Sequence, residues 1–390
     1  MNSKNYNLKE ISHYPVNWID GMKVSRKHFT QMDAAAADQM RDVVALQINH
    51  LNYGLLSPLK NYPSSLEIEI QIDTQSIIQC VLKTCRAITA DGIRIEVINS
   101  QNKSTYSAAQ ITAKHQHEGD KDAVYAVIVY TNIFDRQPTG EPDADEQPIR
   151  HPHSVPKILL DIIPFEQIDA AEGNYLVLTK LIYSDGRWAK DENYIPPCVA
   201  VQNHKKLYDA YINLGNQLGE VGSYCTNIVQ KVKGEKQKTS LSLNIQEVSE
   251  KMISFLADKI VFYRWLNSQR PPVYVIENFV SLAYCLKTSF DCLTEKDREE
   301  MFKYFEQWTN LKPVEFDNLL QEVLKIQYEH NDIAISVDGV QEFMNMISQL
   351  FGKLSKLKFI GEQPDTGIVL GETIEPKKPE KKAGWSFLAD

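Results

Sequence analysis

No run of apolar residues in the 390-residue chain approaches the ~18 needed to cross a bilayer, so direct membrane insertion is not expected. The start, Met1-Asn2-Ser3-Lys4-Asn5-Tyr6-Asn7, is polar and has no apolar stretch of the kind a secretory leader carries. A cytoplasmic location is expected. An excess of positive charge is also missing. Lys and Arg total 42 against 51 Asp and Glu, a formal net charge of −9, which argues against nucleic acid as a partner. The six cysteines (Cys80, Cys85, Cys198, Cys225, Cys285, Cys292) are scattered without a C-x-x-C pair and read as small buried apolar residues.

Signatures of chemistry are absent as well. There is no G-x-S-x-G elbow, P-loop or H-E-x-x-H helix. Gly234-Glu235-Lys236 has the wrong glycine spacing to cradle phosphate. His115-x-His117 and His151-Pro152-His153 read as solvated loop histidines, because a metal needs further ligands and a shaped site. The acidic string Asp143–Glu146 lacks calcium-loop spacing. No catalytic residue, cofactor or metal ligand is nominated.

What is present is patterning. Apolar residues make up 43% and charged residues 24%, ordinary globular usage, and the length calls for two or three domains. The stretch Asn17–Phe29 carries Trp18, Ile19, Met22, Val24 and Phe29 among polar residues and reads as strand, Asp20-Gly21 turn and then helix. Trp and Met are frequent interface anchors, so packing inside a domain and docking on a partner both remain open for this stretch. A helix from about Thr30 to Leu51 follows, with Met32, Ala36, Met40, Val43, Val44, Ile48 and Leu51 along one face.

From Leu66 the period changes to two, as in a half-buried strand. Further strands are expected at 76–90, then after the Asp91-Gly92 turn, and at 106–114, 123–134, 157–164 and 175–183. The proline-rich segment 135–156 reads as an excursion from the sheet. Short hairpin spacings make this region antiparallel, a sandwich or barrel. It closes at Tyr194-Ile195-Pro196-Pro197-Cys198.

Beyond Ala200 the chain reads as helical almost to Phe359. Leu207, Tyr211, Leu214, Leu218, Val221, Cys225, Ile228 and Val232 are spaced 4, 3, 4, 3, 4, 3, 4, a heptad seam. Gly215, Gly219 and Gly222 within it suggest close approach of a neighbouring helix. The seam fits a single chain's bundle or a contact between chains. Helices are expected at about 244–266, 273–293, 295–309 and 314–330. The last one starts from an Asp338/Gln341 capping box and carries a second seam, Val340, Phe343, Ile347, Leu350, Leu354 and Leu357. The end, Glu362–Asp390, has few apolar residues and reads as a flexible tail tipped by Trp385, Phe387 and Leu388, a candidate docking motif.

Two motifs in order carry a family resemblance. Trp18-x-x-Gly21-Met22 with His28-Phe29, and later Tyr194-Ile195-Pro196-Pro197-Cys198, resemble the K subunit of the type VI secretion baseplate, the TssK family. Lys23–Lys27 departs from the family's usual Phe-Leu-x-Pro-Gln. The resemblance covers roughly residues 10–360. It implies an α+β protein in three parts: a β-sandwich shoulder with an N-terminal helix (1–198), similar to phage receptor-binding proteins, a helical neck (199–360) and the tail (361–390). It further implies a non-enzymatic homotrimer that docks on wedge subunits F and G and reaches the membrane complex through its C-terminal region, at the inner face of the cytoplasmic membrane. Trp18, Met22, His28, Phe29, Trp385, Phe387 and Leu388 are then candidate partner contacts, and Leu207–Val232 a trimer or bundle seam. The family's further C-terminal head domain has no counterpart here, so the chain resembles a short, divergent branch. The alternatives are an adaptor of a phage-tail-like baseplate or receptor-binding device outside secretion, and a carbohydrate-binding or enzymatic β-sandwich.

Overall fold

Strand pairing starts where the two-residue period does. In a computed structural model of the chain, residues 10–73, 77–100, 103–104, 111–117, 122–143, 145–170, 175–309 and 311–361 are described. Their contacts form two compact units. The first is Met1–Leu207 with Arg270–Pro272 and Glu329–Ala334; the second is Tyr208–Gln269, Val273–Tyr328 and Ile335–Asp390.

The first unit has helix α1 (Arg26–Ala45) and two antiparallel sheets. The six-stranded sheet holds β1 (Gly54–Leu55), β2 (Leu66–Ile72), β3 (Ile77–Ile88), β4 (Arg94–Ser100), β5 (Lys103–Ser104) and β6 (Thr112–Gln116). Strand β3 is its hub and pairs with β1, β2, β4 and β6. The β3–β4 turn is the expected Asp91-Gly92, with Gly92 at φ +80°. The second sheet runs β10-β9-β7-β8, from β7 (Ala123–Thr139), β8 (His153–Pro164), β9 (Tyr175–Ser184) and β10 (Arg187–Lys190). Ala126, Ile128 and Val177 form a core with Ile168 and Tyr194.

Several expectations need correction. The excursion at 135–156 is shorter, since β7 and β8 continue pairing through Arg136↔Pro156 to Thr139↔His153. Beyond Tyr130, β7 has no β9 partner, so Pro138 needs no ladder hydrogen on that side. His115 and His117 are not solvated. Their i, i+2 spacing on β6 and its end sets both against aromatic rings: His115 lies 4.6 Å from Tyr125, and His117 lies 4.2 Å from Tyr183, with Nδ1 2.7 Å from the Tyr125 hydroxyl. Part of the strand expected at 106–114 lies outside the described residues.

The second unit is helical: α2 (Lys205–Gly234), α3 (Ser240–Trp265), α4 (Val273–Asp291), α5 (Glu295–Thr309), α6 (Pro313–Leu324) and α7 (Ile333–Leu354). Helices α2 and α7 each begin in the first unit. All eight residues of the first seam are buried within the single chain, and so are Val340, Phe343, Ile347, Leu350 and Leu354 of the second. A Cβ on Gly215 would stand 2.9 Å from the Tyr263 ring, so α2 and α3 pack closely enough there that a methyl group would press on the ring. Helix α3 starts earlier than expected because Thr239 and Ser242 exchange capping bonds, Ser242 N–H to Thr239 Oγ1 at 3.1 Å and Thr239 N–H to Ser242 Oγ at 3.0 Å. Helix α6 stops at Leu324, short of His330. Helix α7 begins at Ile333, so Asp338 lies inside it and is not at its N-cap. Cys80, Cys85, Cys198 and Cys225 are buried, Cys285 is half-buried and Cys292 is exposed, which departs from the expectation for these last two.

A candidate docking face on the first helix

Helix α1 begins before the expected Thr30. The Ser25 N–H donates to Nδ1 of His28 (3.1 Å), a local bond that starts the helix there. Among the described residues before it, 10–25, there is no strand. This segment is irregular, turning at Asp20-Gly21 with Gly21 at φ +76°.

Three contacts seat the helix. Asp38 is buried and receives the N–H groups of Ser12 (3.1 Å) and His13 (2.8 Å), while Arg41 Nη1 lies 2.9 Å from its other oxygen. Burial alone would raise the Asp38 pKa. The backbone and side-chain bonds from His13, with Arg41 and Ser12, outweigh it and hold the carboxyl below its ordinary value. The His13 ring packs 4.2 Å from Phe134 of β7. Val44 fills the space over Gly92, where a Cβ would come within 2.3 Å of its Cγ1.

These contacts turn the Ala35–Asp38–Arg41 side of α1 inward. The opposite side is left bare. Phe29 (52% exposed), Met32 (43%), Met40 (72%) and Val43 (66%) recur at helical spacing around the exposed Ala36. Trp18 (47%), with the exposed Ile19 and Val24, extends this surface, its ring 6.5 Å from Phe29 and 6.0 Å from His28. The outward position of Met32, Met40 and Val43 is the main departure from sequence reasoning here. The inward face is marked by alanines and one buried carboxylate, so hydrophobicity alone points the helix the wrong way.

Of the residues singled out from sequence, Trp18 and Phe29 are exposed, and Met22 and His28 are half-buried. Trp385, Phe387 and Leu388 lie outside the described residues. The second motif, by contrast, is core. Tyr194, Ile195, Pro196, Pro197 and Cys198 are all buried. The Leu55 N–H donates to the Pro197 carbonyl (2.7 Å) and the Val199 N–H returns to Leu55 (3.1 Å). The Tyr194 hydroxyl donates to the Asn331 carbonyl (2.8 Å), and Lys180 pairs with Asp332 beneath the Phe165 ring. Burial, reinforced by the Asp332 charge, pushes the Tyr194 hydroxyl well above its ordinary pKa.

The chemistry available on the α1 face is burial of apolar surface. Each large side chain covered there is worth ~1.5–3 kcal/mol. Among the described residues no three His, Cys, Asp or Glu side chains gather as a metal site would require, and no helix is long and apolar enough to cross a membrane.

No family profile matches the sequence, and no curated protein does. Solved structures do. A chain in the baseplate complex of the type VI secretion system matches with a TM-score of 0.50 at 12% identity, over 87% of this chain and 99% of that one. A crystal structure of TssK matches with a TM-score of 0.48 at 13% identity, over 87% of this chain and 69% of that one. A TssK-TssF-TssG baseplate subcomplex gives 0.45 at 13%, over 86% and 99%. The architecture is thus an α+β fold of the secretion-baseplate kind, antiparallel sheets followed by a helical region. More particularly, it is the fold of a chain in a type VI secretion baseplate complex, in line with the resemblance that the two sequence motifs carry.

Proposed function

We propose that the chain is a structural, non-enzymatic adaptor of a type VI secretion baseplate. It joins the wedge subunits of the contractile tail to the membrane-anchoring complex, in the cytoplasm at the inner face of the membrane. The observation that carries this reading is the bare apolar face of α1 with Trp18, on a TssK-like fold. Exposed aromatics and methionines set together on one rigid helix are what a protein partner buries. The occupants we assign to it are subunits F and G.

We assign the link to the membrane complex to the C-terminal region that carries Trp385, Phe387 and Leu388. For the homotrimer, Leu207–Val232 are already buried within one chain, so self-association needs another surface. The exposed Val261, Phe262 and Trp265 at the end of α3 supply one at i, i+1, i+4 spacing.

Co-expression of the tagged chain with F and G tests the reading. The triple substitution F29D/M32D/V43D should abolish their co-purification while circular dichroism and thermal unfolding stay unchanged. Undiminished recovery of F and G with the substituted chain would overturn it. So, for the trimer, would a stable monomer at micromolar concentration.

A further inference from the structure

The second unit holds a groove that the adaptor reading does not use. It lies between α3 and α4, is open to solvent and has a volume of about 660 Å³. Phe255, Tyr284 and Cys285 provide its apolar lining, with Glu247 and Glu250 also lining it. Tyr284 is more than half exposed, and Cys285 is half-buried with its thiol against the Lys251 carbonyl (3.9 Å).

The end of the described chain lies beside the start of α3. The Gly361 N–H donates to the Tyr304 hydroxyl (3.1 Å), and a Cβ on Gly361 would touch Thr239 Oγ1 at 2.7 Å and Ser242 at 3.1 Å. From Ser242 to Lys251 is nine residues of helix, ~14 Å. The segment that leaves Gly361 places Lys377, Lys378, Lys381 and Lys382 immediately before Trp385-Ser386-Phe387-Leu388. Trp385 lies 24 positions beyond Gly361, and a coil of that length spans ~25 Å. The aromatic tip therefore has the reach to enter the groove without displacing any element.

Charge agrees with length. The charged groups that line the groove are Glu247, Glu250 and Lys251. Carboxylates outnumber lysines there. Glu247 pairs with Lys251 (3.1 Å) and Glu250 with Lys233 (2.8 Å), and a carboxylate that holds one cation keeps lone pairs for a second.

We infer that residues 377–388 of the chain dock into the groove between its own α3 and α4, with Trp385, Phe387 and Leu388 against Phe255, Tyr284 and Cys285 and the lysines against Glu247 and Glu250. The groove is then a built-in seat for the C-terminal segment. The inference does not rest on the baseplate reading, but it competes with the membrane-complex link for Trp385, Phe387 and Leu388.

Cys285 reports on it directly. In the full chain carrying C292S, alkylation of Cys285 by N-ethylmaleimide is followed by peptide mass mapping. Substituting W385A/F387A/L388A should speed modification of Cys285 at least fivefold, and raising the salt concentration should speed it in the unsubstituted tail. Equal rates with and without the three substitutions would overturn the inference. Protection that disappears on tenfold dilution would also overturn it, because it would place the tail in another copy's groove. As a second measurement, S386C in the C292S background should form a disulfide with Cys285 within one chain under mild oxidation, and failure to form that bond would count against the seat.

Discussion

Tyr211 and Tyr263 hold each other by reciprocal bonds. The hydroxyl of Tyr211 donates to the carbonyl of Tyr263, and the hydroxyl of Tyr263 donates to the carbonyl of Tyr211 at 2.7 Å. Their rings stack 4.6 Å apart. The pair clamps α2 to α3 and is fully buried. Tyr263→Phe removes one bond and keeps the ring, so it should cost about 1 kcal/mol. Tyr263→Ala also removes the packing and should cost about 3–5 kcal/mol. Thermal unfolding of the two variants should separate bond from ring.

Two glycines are set against close neighbours and should be intolerant for different reasons. Gly54 has φ +116°, and a Cβ there would stand 2.1 Å from the Pro197 carbonyl oxygen. Gly54→Ala should cost about 3 kcal/mol or more through strain and clash together. Gly215 has ordinary helical backbone, so Gly215→Ala gains about 1 kcal/mol of propensity and loses about 1–3 to the Tyr263 ring. A small net loss is expected in denaturant unfolding, and a net gain would show that the ring yields.

Acid should destabilise the first unit before its carboxylates titrate. Burial is the main cause that pushes His330 and His204 down to about 4; the Tyr53 carbonyl opposes it at His330, and Lys206 adds to it at His204. A histidine held neutral in the fold but free to protonate at ~6.5 when unfolded makes the unfolded state bind more protons between those values. Stability is therefore full above ~6.5 and falls as the pH drops toward 4, by up to about 1.4 kcal/mol per pH unit for each group. His330→Gln keeps a donor for the Tyr53 carbonyl and removes the titration. The pH dependence of its unfolding midpoint should be shallower than that of the parent chain.

Asp38 works in the same sense, in a lower pH window. Its folded pKa is lowered, so its contribution is present above the ordinary carboxylate value and is lost as the pH falls through the folded one. Asp38→Ala leaves Arg41 and the N–H groups of Ser12 and His13 without their acceptor and should cost about 2–3 kcal/mol. Hydrogen exchange at Ser12 and His13 should rise in the variant while the strands of β3 stay protected.

Much of the fold was legible because local pattern reflects local structure. The alternation at Leu66–Ile72, the Asp91-Gly92 turn and the 4, 3 spacing of Leu207–Val232 each appear where expected, because period and turn chemistry belong to the backbone itself. Where local and tertiary bonds compete, the sequence misleads. Residues 325–330 continue a helical pattern, yet the His330 ring donates to the Tyr53 carbonyl (2.7 Å) and the Tyr53 hydroxyl donates to Asn331 (2.7 Å). Partners some 280 positions away in the chain leave no mark on a local window.

The candidate docking face divides the same way. The sequence alone determines that α1 is a helix, that Phe29, Met32, Met40 and Val43 are large apolar groups on it with Trp18 just before it, and that the chain carries no G-x-S-x-G, P-loop or H-E-x-x-H motif. Only the tertiary structure decides that this stripe faces outward while the seam of α2 is buried within one chain. The reason is physical. A periodic pattern states which residues share a face, but whether that face is covered depends on what lies opposite. On α1 the inward side was settled by one carboxylate, Asp38, by the glycine at 92 and by the ring of Phe134, none of which belongs to the apolar stripe.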